Sequence, residues 1–339
     1  MHKASKTCDS DQTKPRIGVD LLGSDTPAIV LLQSVLFAHK KLSDKAEFFL
    51  FVDNDLVLAD LPQDIHTVIV SEIITMEDPP LSVLRKKKNS SIGKGMQMLK
   101  DKQIDAFISL GNSGAILAAA KNTLKTLKGI QRPALMTLIP AKGKQIAVLD
   151  VGASTQCKPH SMIQFAQMGI AYKKSLGTER PTVGLLNIGS EEKKGTPDHQ
   201  KAYLMLQKLN ETSDYPVFLG NIEGRDVFEG PVDVLVTDGF TGNVFLKTAE
   251  GTASFLLSEI LQAMDDCAII NEKQTAFISS YQKKLDYAEY PGAILCGVQG
   301  IVMKCHGASQ GQSLTKTIES AIELSSHDFL KKILSQLTA

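Results

Sequence analysis

One pattern repeats along this chain and constrains its fold more than any other feature. An apolar run rich in Val, Ile and Leu breaks into a glycine-rich polar corner. The corner then opens into a segment whose apolar residues fall three and four apart. Residues Gly220–Gly251 hold the pattern in compact form: the corner Gly220-Asn221-Ile222-Glu223-Gly224, the run Val232–Val236, the corner Asp238–Asn243, and a helical pattern from Val244. Strand-like runs occur at Ile17–Leu22, Phe48–Val52, Thr67–Val70, Ala106–Ser109, Leu135–Ile139, Ile146–Val151, Val183–Ile188 and Val217–Leu219 as well. Helical patterns cover Pro27–Lys41, Ile92–Asp101, Ala115–Leu127, His160–Lys173, Pro197–Leu209 and Val244–Met264. Near-continuous apolar strands that alternate with amphipathic helices are buried on both faces of a parallel sheet. The expectation is an α/β fold, Rossmann-like, with three α/β/α layers and a mostly parallel sheet.

The later chain reads differently. Asp265–Lys284 is mixed and amphipathic, Leu295–Lys304 is one apolar run, and a last helix is expected over Ser313–Leu337. Glycine and proline interrupt the pattern near Gly129–Arg132 and Tyr290–Gly292. This divides a single catalytic domain of residues 16–335 into two expected lobes, 16–130 with 292–335, and 131–291. Residues 1–15 are polar, without an apolar core of the signal-peptide kind, and are expected to be a loose tail. No apolar window reaches membrane-spanning length.

Lys+Arg and Asp+Glu balance at 37 each, so no overall field favours nucleic acid or anionic lipid. The five cysteines are scattered and lack paired spacing, which argues against structural zinc and a disulfide framework.

The polar corners are the candidate site. They are Asp20-Leu21-Leu22-Gly23-Ser24-Asp25, Gly111-Asn112-Ser113-Gly114, Asp150–Ser154, Asn187-Ile188-Gly189-Ser190-Glu191-Glu192, the two corners of the 220–251 stretch, and His306-Gly307-Ala308-Ser309. In an open parallel sheet such carboxyl-end corners face one crevice, where ligands bind. A glycine corner at a helix N-terminus also leaves backbone N–H groups free for an anion. Dinucleotide, P-loop, zinc-protease and nucleophile-elbow motifs are absent. The expected ligand is therefore an anion held by amides and basic side chains, with no dinucleotide and no metal.

These same residues carry a resemblance. Asn187-Ile188-Gly189, Gly220–Gly224, Asp238–Asn243 with Leu246-Lys247-Thr248, and His306–Ser309 resemble the bacterial phosphate acyltransferase family, PlsX. Ser71-Glu72, Met76–Pro79, Arg85–Lys88, Ser90-Ser91 and Gly111–Gly114 are similar to it too, and the likeness spans about residues 16 to 325. The chain departs from the family pattern at Leu22, Ser24, Ser154, Gln156 and Pro291.

The resemblance implies transfer of a long acyl chain from acyl carrier protein to inorganic phosphate, with no cofactor. It implies a homodimer whose fold is related to isocitrate dehydrogenases and phosphotransacetylases. The acyl phosphate product would feed a downstream membrane glycerol-3-phosphate acyltransferase. The enzyme would be cytoplasmic, with peripheral contact to the inner face of the cell membrane.

Phosphate attacking a thioester is already anionic, so the site needs a cradle for phosphate, donors for the tetrahedral oxyanion and help for the leaving thiolate. Arg225 and Lys247 are candidates for the phosphate charge, with the Gly242 and Asn243 amides. Asn112 and Asn221 are candidate oxyanion donors, and His306 is the candidate acid. Asp20, Gly23, Asp25, Gly111, Ser113, Gly114, Asn187, Gly189, Glu223, Gly224, Asp238, Gly239 and Ser309 complete the expected substrate-binding set.

Several have a structural alternative, His306 as a hydrogen-bonded histidine at a strand end. Asn112 and Asn221 shape turns, Asp238 and Asp150 cap helices, Arg225 pairs with Glu223 or Asp226, and Lys247 is a solvated helix residue. Arg85–Lys88 is either a solvated charge run or a dock for an acidic carrier protein. Phe255, Leu256, Leu257, Ile260, Leu261 and Met264 have the spacing of core or dimer interface, or of a membrane-touching tip. Two other functions remain open, a phosphotransacetylase using short acyl-CoA and a non-catalytic scaffold for lipid enzymes.

Overall fold

The computed structural model describes residues 13–54, 56, 61–80, 85–266, 290–305, 311–326 and 329–338. Most of the N-terminal tail, the amphipathic stretch beyond residue 266, and His306 to Ser309 lie outside the described residues. The strands are β1 (Arg16–Asp20), β2 (Glu47–Val52), β3 (Ile65–Ile69), β4 (Ala106–Ser109), β5 (Ala134–Ala141), β6 (Lys144–Leu149), β7 (Val183–Asn187), β8 (Phe218–Glu223), β9 (Val234–Val236), β10 (Ala293–Cys296) and β11 (Ile301–Lys304). The helices are α1 (Ala28–Leu42), α2 (Ser91–Lys100), α3 (Ser113–Thr123), α4 (Pro159–Ser175), α5 (Pro197–Gln207), α6 (Gly239–Asp266), α7 (Gln312–Ser326) and α8 (Phe329–Thr338).

Local chemistry fixes several helix starts. Ser90 caps α2 by accepting from the Gly93 amide, Asn112 caps α3 through Ala115, and Thr196 caps α5 through His199. Proline stands in the first turn of both α4 and α5, where its missing N–H costs nothing.

All strands join one 11-stranded sheet in the order β3-β2-β1-β4-β11-β10-β5-β6-β9-β7-β8. Buried side chains of α1, α4, α5, α7 and α8 pack on one face, and those of α2, α3 and α6 on the other. The three-layer α/β/α expectation is met.

A single crevice in one open parallel sheet is not what forms. β1, β2, β3, β4 and β11 run parallel to one another, and β6, β9, β7 and β8 form a second parallel set. Between them β10 and β5 are each paired antiparallel on both sides. Three successive antiparallel pairings reverse the direction, so the second set runs opposite to the first.

The registers show where the two sets end. Asp20, Ser109 and Lys304, the last residues of β1, β4 and β11, pair side by side. The next row inward holds Met303, Ile294, Met136, Leu149 and Val236, which includes the last residues of β6 and β9. The carboxyl ends of both sets therefore reach the same level from opposite directions.

Four expected elements differ in detail. The corner Asp238–Asn243 lies almost wholly in the first turns of α6, which begins at Gly239 and not near Val244, and the Gly242 amide donates to the Asp238 carbonyl at 2.8 Å. The corner at Gly220–Glu223 is the body of β8, so the chain turns only at Gly224. Leu295–Lys304 is a pair of short strands, because Gly297 adopts φ +89° between them. The last helix is divided into α7 and α8. The distal half of α6 leaves the body, with Phe255 60% and Ile260 48% exposed. Among the described residues no helix is long and apolar enough to cross a membrane.

Candidate functional site

The end of the first strand set builds one polar cluster. Asp20 is fully buried and accepts from the Leu22 amide at 3.0 Å and from Ser109 Oγ at 2.8 Å. Burial pushes its carboxyl up to about 6, against hydrogen bonds from Leu22, Ser109 and Ser91 that favour the charged form. Lys304 ends the neighbouring strand, and its Nζ donates to the carbonyls of Leu110 (3.2 Å) and Cys305. Burial lowers its pKa. Lys247 lowers it further by repulsion, while Asp20 and Asp25 raise it. Lys247 is on α6, in the other strand set. Lys304 therefore feels charge from both strand sets, from Lys247 on one side and from Asp20 and Asp25 on the other.

Asn112 joins this cluster with its amide engaged. Its Oδ1 accepts from Ala115, and its Nδ2 donates to the carbonyls of Thr75, Met76 and Asp78 at 3.0 to 3.2 Å. An amide nitrogen has two hydrogens, so none is left free in this geometry. Its position matches the turn-shaping alternative. Ser113 and Gly114 open α3, and the Gly111 amide donates to Ser109 Oγ.

The second set builds a cluster around Asp150. Its carboxylate is buried and accepts from the amides of Leu135, Gly152, Ala153 and Ser154 and from Ser154 Oγ at 2.7 Å. Burial raises its pKa while those bonds oppose the shift. Ser154, where the chain departs from the family pattern, is thus a donor to this carboxylate. The first turn of α6 packs on the same corner, with the Asn243 side chain 3.6 Å from a Cβ placed on Gly152.

Asp238 precedes α6, accepting from the Thr241 amide at 3.0 Å and from Thr241 Oγ1 at 2.6 Å. His199 Nε2 stands 3.7 Å from the Asp238 carboxylate, and its Nδ1 bonds Thr196 Oγ1 at 2.7 Å. Asn221 receives a hydrogen bond from Asn187 Nδ2 and donates to the Glu191 carbonyl at 2.8 Å. One of its amide hydrogens remains. Gly189 lies against Glu191 and Lys194 in the same corner.

Other expected residues sit at the rim. Lys247 Nζ is 2.6 Å from Glu250, and its side chain is 45% exposed. Arg225 pairs with Glu223 at 3.3 Å and Asp226 at 3.7 Å, the surface alternative, with Gly224 beside the Phe245 ring. His306 and Ser309 fall outside the described residues. Lys304, Ser109 and His199 were not read from the sequence as site residues. Lys304 carried one signal, its place at the end of the apolar run that leads into His306. Among the described residues no group of His, Cys, Asp and Glu is placed to hold a metal ion.

Comparison with known proteins gives a consistent result. A family model described as "Fatty acid synthesis protein" matches residues 15–332. The chain is 40% identical over 334 residues to the phosphate acyltransferase of Chlamydia pneumoniae, covering 95% of this chain and 99% of that one. It is also 40% identical over 332 residues to the phosphate acyltransferase of Brevibacillus brevis, covering 95% and 97%. Among solved structures, a phosphotransacetylase from Streptococcus pyogenes superposes with a TM-score of 0.58 at 14% identity, covering 93% of this chain and 94% of that one. EutD phosphotransacetylase from Staphylococcus aureus gives 0.55 at 14% identity with the same coverage. These structural likenesses establish the fold.

Proposed function

This chain belongs to the fatty acid synthesis protein family and is an acyltransferase, and from that premise we propose that it makes acyl phosphate from long-chain acyl carrier protein and inorganic phosphate. The observation that carries the reading is the meeting of the carboxyl ends of the two strand sets at one level, with Lys304 ending β11 and Lys247 on α6, the helix that follows β9. Two ammonium groups suit a dianionic nucleophile. Phosphate oxygen attacks the thioester carbonyl, the C–S bond breaks, and the thiolate leaves with a proton. No electrons change hands, so the reaction needs no cofactor. His306 is our candidate for the proton donor. Asn221 has an amide hydrogen left for the oxyanion, and Lys304 joins the phosphate cradle.

On this reading the lobes 16–130 with 292–335 and 131–291 each supply one lysine. The protein acts as a homodimer at the inner face of the membrane, where the exposed apolar side of α6 meets a second copy or the lipid surface. It hands acyl phosphate to the membrane glycerol-3-phosphate acyltransferase.

The test is acyl phosphate formation by purified protein from palmitoyl carrier protein, with palmitoyl-CoA and acetyl-CoA alongside. Product from the carrier thioester supports the proposal. Product from acetyl-CoA alone moves the protein to the phosphotransacetylases, whose fold it shares. Folded protein that yields nothing from any donor leaves the scaffold reading in front.

A further inference from the structure

A cavity of about 1000 Å³ opens between α2 and α3. Its charged lining is Arg85, Lys86, Lys88 and Lys94, with Asn89 and Gln97 beside them. No carboxylate lines it. Lys94 is turned to the carbonyl of Ile69 at 2.8 Å. The neighbouring carboxylates are committed elsewhere: Asp78 holds Lys87 at 2.6 Å, and Glu72 accepts the Asn89 amide at 2.6 Å. Among the described residues, the side chains of Arg85, Lys86 and Lys88 have no carboxylate within ion-pair distance. The whole chain is neutral, so this concentration of positive charge is local. Like charges held together without counter-charges repel, and they contribute nothing to stability.

The groove also has a defined relation to the chemistry. Asn89 and Gly93 line it, and between them Ser91 bonds Asp20 at the end of β1. Asn112, which starts α3 on the other side, sits in the same first cluster. The groove and the Asp20 corner therefore share the first turn of α2.

We infer that this groove docks an acidic protein surface, which on the function proposed above is the carrier that presents the acyl thioester. Charge complementarity selects the partner: a cationic groove without internal counter-ions attracts an acidic helix from a distance and orients its thioester arm. The rest of the donor, acyl chain and thioester, is recognised elsewhere.

The test replaces the unpaired cations together, as R85E/K86E/K88E, with folding checked by circular dichroism. Turnover is compared for palmitoyl carrier protein and palmitoyl pantetheine, which has no carrier and no phosphate. The inference expects kcat/KM for the carrier donor to fall at least tenfold relative to the pantetheine donor, mainly through KM. The salt dependence of the carrier donor should also become shallower. Unchanged carrier kinetics, or an equal loss on both donors, overturns it. Should wild-type protein turn over no carrier thioester, the functional reading fails by itself. Direct titration with the acyl-free carrier then decides the groove: binding at least tenfold weaker in the triple variant upholds it, and equal binding overturns it.

Discussion

A Cβ placed on Gly242 would stand 1.9 Å from the carbonyl oxygen of Asp150, so the first turn of α6 lies directly on the corner that ends β6. No side chain fits between them, and that contact fixes the direction in which α6 leaves the sheet. Replacing Gly242 by alanine must push backbone from backbone, and the expected loss is about 2–4 kcal/mol. Gly251, farther along the same helix, has nothing within 4 Å of its Cβ position. There alanine should be neutral or stabilising by roughly 0.5–1 kcal/mol, through helix propensity alone. Urea denaturation of the two variants checks the contrast, and equal effects would remove the packing explanation.

Asp150 is the anchor on the other side of that contact. Its carboxylate satisfies the amides of Leu135, Gly152, Ala153 and Ser154. Asp150→Ala orphans these donors in a buried corner and should cost about 3 kcal/mol or more. Asp150→Asn keeps an acceptor oxygen and should cost distinctly less. Denaturant midpoints measured on both variants test the ranking.

Asp20 carries a pH signature. Its carboxyl is raised from 3.8 to about 6 by burial, so between those values the folded chain holds a proton that the unfolded chain has lost. Stability therefore falls as pH rises through this window, by roughly 3 kcal/mol from this group alone. Asp20→Asn, which cannot ionise, should lose that slope. Unfolding midpoints from pH 4 to pH 7 give the comparison; an unaltered slope in the variant would assign the pH dependence to other groups.

Lys247 is held by Glu250 at the rim, an exposed pair of little structural worth. Lys247→Ala should leave the fold intact and raise the KM for phosphate about tenfold, a loss of about 1.4 kcal/mol. Glu250→Gln releases the ammonium and should lower the same KM. Phosphate saturation curves at fixed donor provide the measurement, and a KM that ignores both substitutions would take Lys247 out of the phosphate cradle.

Alternating apolar runs, glycine corners and helical periodicity determined the α/β fold and the set of corners from which a site is drawn. Both are local: strand burial and turn geometry act over a few residues, so the order of residues specifies them. Tertiary structure decided what the corners do. The antiparallel pairings of β10 and β5 reverse the second strand set, and that reversal sets the carboxyl ends of both sets at one level. Distant carbonyls at Thr75, Met76 and Asp78 occupy the Asn112 amide, which local sequence left free to act on substrate. Glycines that suggested an anion cradle at Gly239 and Gly242 are also places where two backbones touch. Hydrogen bonds and close contacts between residues far apart in the chain depend on strand direction and register, and no short stretch of sequence encodes those.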